Sequence, residues 1–99
     1  MTTLMLRYHV ADDDVQTVVR AVEAAFAGLR DERPEGLRFT YFRVAETAEF
    51  VGLVELADGR DNPLPALEAT RALKAVVDRV AAGGPPTPQP LHVLGAYGR

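Results

Sequence analysis

The chain has 99 residues, 47% of them hydrophobic and 25% charged, with a net charge of −3 at pH 7; these values describe one ordinary globular domain over residues 1–99. It contains no cysteine and no serine, which excludes disulfides, thiolate and serine nucleophiles, iron–sulfur clusters and thiolate zinc sites. One lysine, Lys74, stands against ten arginines without a basic cluster, so nucleic acid is not an expected partner.

The apolar runs are too short to span a membrane, and no signal-peptide pattern opens the sequence, so a cytoplasmic location is expected. A chain of this length buries about 60–65% of its unfolded surface, a thin core that burial shared with a second subunit would help.

Thr3 to Val10 alternates, with Leu4, Leu6, Tyr8 and Val10 on one side and Met5, Arg7 and His9 on the other, as a strand does. Asp12-Asp13-Asp14 reads as a helix cap, its carboxylates accepting free N–H groups; it lacks the spacing and glycine of a calcium loop. Val15, Val18, Val19, Val22, Phe26 and Leu29 then form one helical stripe, and Pro34 and Gly36 end the region.

Leu37 to Leu56 is a β-hairpin signal: two runs of aromatic and β-branched residues flank Ala45-Glu46-Thr47-Ala48. Both of its faces are largely apolar, unlike those of a sheet wet on one side. Asp58 to Pro63 is a loop, and Leu73, Val76, Val77 and Val80 mark a second amphipathic helix stopped by Gly83-Gly84. Pro85 to Pro90 reads as a stiff connector, and Leu91 to Tyr97 as the last strand.

The order βαββαβ predicts an α+β, ferredoxin-like fold. Its four-stranded antiparallel sheet has the first and third strands central, two helices on one face and the other face bare. A second copy is expected to close over that face.

Arg33-Pro34-Glu35-Gly36-Leu37-Arg38-Phe39 leading to Phe42-Arg43, then Phe50-Val51, then Asn62-Pro63-Leu64, resembles small stand-alone members of the dimeric α+β barrel superfamily. The nearest named group is the antibiotic biosynthesis monooxygenase-type domain. The resemblance covers nearly the whole chain. It implies a homodimer paired through the sheet face, with ligand pockets between sheet and helices or inside the barrel. It also implies a small apolar or aromatic ligand, without a resident cofactor, and oxygenation, isomerisation or cyclisation. The tryptophan typical of the oxygenase and haem-degrading members is absent, and the one asparagine, Asn62, falls in a loop.

Five residues are candidates for chemistry. His9 and His92 are the only imidazoles, suited to moving a proton near neutral pH. The first and last strands are expected to be neighbours, so the two histidines approach each other if they share a face, with Glu49 or Glu55 as a third ligand should a metal bind. Tyr41, like Tyr8 and Tyr97, offers a phenolic donor to a substrate carbonyl. Arg7 and Arg43 are suited to an anionic ligand or an oxyanion, or to ion pairs with Glu49 or Glu55. The competing reading is a non-catalytic ligand-binding or dimerisation module. A third is haem binding through a histidine.

Overall fold

The computed structural model describes residues 1–98. Strand β1 (Thr2–His9) leads into helix α1 (Val15–Glu32), the hairpin β2 (Leu37–Arg43) and β3 (Glu49–Leu56), helix α2 (Glu68–Val80) and a short β4 (Gln89–Leu91). All strand pairs are antiparallel and the sheet order is β2-β3-β1-β4, so the first and third strands are central as expected.

The period of two sets the faces. Register places Leu4 opposite Val54, Leu6 opposite Gly52 and Tyr8 opposite Phe50, and β2 continues these rows with Phe39, Tyr41 and Arg43. Tyr8 and Phe50 from the sheet, with Val10 just past β1, pack with Val15, Val18 and Ala25 of α1 and with Leu73 and Val77 of α2. The opposite face carries Met5, Arg7 and His9 of β1, Val51 and Leu53 of β3, and Phe42 of β2, and neither helix lies on it. Phe42 is 48% exposed there, a large apolar side chain in water.

Local chemistry sets the boundaries. Arg33 takes the left-handed conformation at φ 51°, its N–H bonded to the Leu29 carbonyl at 2.8 Å, and Pro34 prevents the helix from continuing. Asn62 Oδ1 accepts the Leu64 N–H at 3.0 Å and opens a 3₁₀ turn over Leu64–Ala66 that leads into α2. The two helices meet where Gly28 faces Ala69; a Cβ on Gly28 would stand 2.4 Å from the Ala69 Cβ.

Three expectations are corrected. Asp12–Asp14 forms a 3₁₀ turn of its own, and no side chain of it caps α1; the backbone carbonyl of Asp12 accepts the Val15 N–H instead. The last strand begins inside the proline connector, at Gln89, and stops at Leu91 rather than running to Tyr97. Its partner explains this: Leu91 lies opposite Thr3, and β1 begins at Thr2, so a longer β4 has nothing left to pair with. Pro90, which lacks an N–H, further thins the ladder.

Candidate functional site

A cavity of about 200 Å³ lies between the sheet and α2. Its floor is the helix-facing row of the sheet: Leu4, Leu6, Phe39, Tyr41, Gly52 and Val54. Leu73 and Val77 of α2 form the opposite wall, with Leu64 and Pro65 from the 3₁₀ turn. Pro86 and Pro88 of the connector close one side. The amphipathic stripe of α2 faces this space because buried Thr70, Leu73 and Val77 recur at helical spacing.

The polar groups around the cavity are few, and most already have partners. Thr70 Oγ1 donates to the carbonyl of Leu64, and Asn62 caps the 3₁₀ turn. Lys74 Nζ donates to Asp78 Oδ2 at 2.6 Å. The Tyr41 hydroxyl lies 2.6 Å from that of Tyr8, which is buried behind it. The Tyr41 ring packs edge-on against Phe39, with centroids 5.9 Å apart, and Tyr8 stacks on Phe50 at 5.7 Å.

Burial raises the Tyr8 phenol strongly above its ordinary value of 10.0, and its hydrogen bond to Tyr41 raises it further. Burial also raises Tyr41, but there the hydrogen bond with Tyr8 works in the opposite direction. Either hydroxyl can donate in this contact; when Tyr8 donates to the Tyr41 oxygen, the Tyr41 proton is left to donate elsewhere. Both phenols are protonated at neutral pH, so Tyr41 acts as a hydrogen-bond donor and not as a base. Gly52 makes room for this arrangement. A Cβ there would meet Tyr41 Cε1 at 3.0 Å and Cδ1 at 3.3 Å.

Of the five candidates from the sequence, Tyr41 alone lines the cavity. His9 stands exposed on the bare sheet face, beside Arg7 in the same row of β1. Arg7 Nε is bonded to Glu49, the ion pair weighed from the sequence. Arg43 folds back on the hairpin turn, donating to the Thr47 carbonyl at 2.7 Å and the Glu46 carbonyl at 3.4 Å. His92 follows the end of β4 and is exposed.

The expected approach of the two histidines is corrected by the register. His92 comes next to the Thr2 end of β1 and His9 sits at the other end, seven residues or about 23 Å along the strand. Among the described residues, no group of three or more His, Asp or Glu side chains stands close enough to hold a metal ion. No described helix is long and apolar enough to cross a membrane.

Of the α2 residues at the cavity, the sequence marks Leu73 and Val77 as part of an apolar stripe and singles out none of the others as a site. The recurrence of Thr70, Leu73 and Val77 beside charged Arg71, Lys74 and Asp78 was the available signal. It could not reveal that the sheet stands off from α2 there.

No family model matches the chain, and no curated protein matches it in sequence. Solved structures do. A putative antibiotic biosynthesis monooxygenase from Nitrosomonas europaea matches with a TM-score of 0.73 at 18% identity, over 96% of this chain and 100% of that one. A second antibiotic biosynthesis monooxygenase matches with a TM-score of 0.70 at 14% identity, over 96% and 100% of the two chains. An L-rhamnose mutarotase from Formosa agariphila matches with a TM-score of 0.59 at 13% identity, over 97% and 98%. The sheet order, the helices on one face and these matches together give the chain an α+β, ferredoxin-like fold, the one that these antibiotic biosynthesis monooxygenase structures share.

Proposed function

We propose that two copies of the chain pair over the bare sheet face, and that each holds an oxygen-bearing apolar or aromatic small molecule in the cavity beneath α2. There it promotes a cofactor-independent isomerisation, cyclisation or, with dioxygen as co-substrate, oxygenation. The observation that carries this reading is the Tyr8–Tyr41 pair set into an otherwise apolar wall. A phenol held protonated by burial, and polarised by a second phenol behind it, is suited to receive negative charge on a ligand oxygen.

The step is enolisation. The Tyr41 O–H donates to the carbonyl oxygen while a carbon next to the carbonyl releases its proton to water. The C–H electron pair becomes the new C=C bond, and the C=O π pair moves onto oxygen. The matching structures described as antibiotic biosynthesis monooxygenases support the oxygenation reading, in which such an enolate would meet dioxygen. Arg7 and His9 stand on the face that the second copy would cover, so any role of theirs belongs to the barrel interior.

A non-catalytic binding module is the second reading. It is favoured by the prior engagement of Thr70, Asn62 and Lys74 in contacts within the chain. One experiment separates the two. β-Tetralone, a two-ring aromatic ketone, is incubated with the protein in heavy water and the loss of its acidic C–H signals is followed by NMR. The enzyme reading expects exchange above the buffer rate, falling by a factor of about 100 in Tyr41→Phe, the usual cost of one oxyanion donor. Binding without accelerated exchange supports the module. Absence of binding overturns the cavity as the site.

A further inference from the structure

The mouth of the cavity has its own electrostatic character. Arg71, Lys74 and Asp78 follow one another on the turn-spaced edge of α2, directly beside the buried stripe of Thr70, Leu73 and Val77. Lys74 and Asp78 are paired, which leaves Arg71 as the surplus charge. Among the described residues Arg71 forms neither an ion pair nor a side-chain hydrogen bond. The rest of the wall is overwhelmingly hydrocarbon. An apolar slot with a cationic rim on one helix and a phenolic donor on the facing sheet is asymmetric, and asymmetry of this kind selects ligands.

We propose that the ligand is an amphiphilic monoanion: a ring system or branched hydrocarbon body fills the cavity, and a carboxylate lies at the mouth against Arg71 and Lys74. A second oxygen, carbonyl or phenol, accepts from Tyr41. The class is therefore an aromatic or alicyclic keto or hydroxy carboxylic acid. The inference rests on the cavity being the ligand site, as proposed above, and adds the charge of the ligand to it.

Size and charge both support this class. A volume of about 200 Å³ exceeds the roughly 150 Å³ apolar cavity that accommodates benzene, so a body of one to two rings fits. A cationic ligand would bring its charge against Arg71. A neutral one would leave the guanidinium to water alone. A carboxylate gains charge-assisted hydrogen bonds from Arg71, in the fork geometry that guanidinium offers. Asp78 restrains Lys74 at the rim while leaving two of its three donors free.

Three probes with one ring system test this: β-naphthoate, methyl β-naphthyl ketone and β-naphthylmethylammonium, titrated by calorimetry at neutral pH and low salt. The expected order is carboxylate, then ketone, then ammonium. The carboxylate should bind about threefold to tenfold tighter than the ketone, the range of a partly exposed charge contact. Added salt should shrink that ratio, and Arg71→Gln should bring it close to one. Equal binding of carboxylate and ketone, or an unchanged ratio in Arg71→Gln, overturns the anionic class and leaves the cavity reading standing. Failure of all three probes to bind overturns both.

Discussion

Tyr41 reaches the cavity because residue 52 has no side chain. The ring lies over Gly52 across the β2–β3 pair, and a methyl group there would sit at 3.0 Å from it. Gly52→Ala is expected to tilt the ring, lengthen the contact to Tyr8 and cost about 1–3 kcal/mol, the usual penalty of overpacking. Urea denaturation reads the stability, and a titration with methyl β-naphthyl ketone reads the loss of the donor.

The phenol pair also makes stability depend on alkaline pH. Both phenols titrate above their ordinary value of 10.0, chiefly because burial disfavours the phenolate. Their contribution is complete below the unfolded value of about 10 and is lost as pH rises beyond it. In a Tyr97→Phe variant only Tyr8 and Tyr41 remain to be observed by ultraviolet absorbance. Phenolate should then appear only together with loss of circular dichroism. Phenolate formation near pH 10 in a folded protein would contradict the pairing. The sequence placed Tyr8 and Tyr41 on strands and named both as donors, but their contact depends on a three-strand register that spacing within one strand does not encode. His9 and His92 misled for the same reason: residue type was visible, position along the ladder was not.

Helix α1 and helix α2 approach so closely at Gly28 and Ala69 that only one methyl group fits between them. Gly28→Ala should therefore destabilise the protein by about 1–3 kcal/mol, although alanine is the better helix former in isolation. Combining it with Ala69→Gly should recover part of that loss, and the coupling can be read from a double-mutant cycle by thermal denaturation. Additive losses would show that the two positions do not share the space. Element order and helix stripes followed directly from hydrophobic period, and so did the hairpin, whose turn chemistry is local. The end of β4 did not. Leu91 to Tyr97 has the alternation of a strand, but β1 runs out of partners at Thr2. The result is a tail whose Leu94 and Tyr97 are almost fully exposed, at 98% and 104%.

The bare sheet face and that tail give the molecule its remaining unsatisfied apolar surface. Met5, Val51, Leu53 and Phe42 form a cluster near the Arg7–Glu49 ion pair. Val93, Leu94 and Tyr97 add further apolar area in water. The dimer proposed above would cover the sheet face. Light scattering at micromolar concentration should give twice the single-chain mass, and Phe42→Glu should halve it by placing a charge in the contact. A single-chain mass for the unmodified protein would contradict the pairing. The bare face was readable from the sequence, since strands greasy on both faces came with helices for one; that a second copy covers it is the proposal. The cavity was not, because it arises where α2 stands off from the sheet.

That cavity is tested most directly by titrating β-tetralone into protein labelled with ¹³C at its methyl and aromatic groups and mapping the shifted signals. The account predicts shifts at Tyr41, Leu64, Leu73 and Val77, with Val51 and Leu53 on the opposite face unmoved. Shifts confined to Val51, Leu53 and Phe42, or none at saturating ligand, would contradict it.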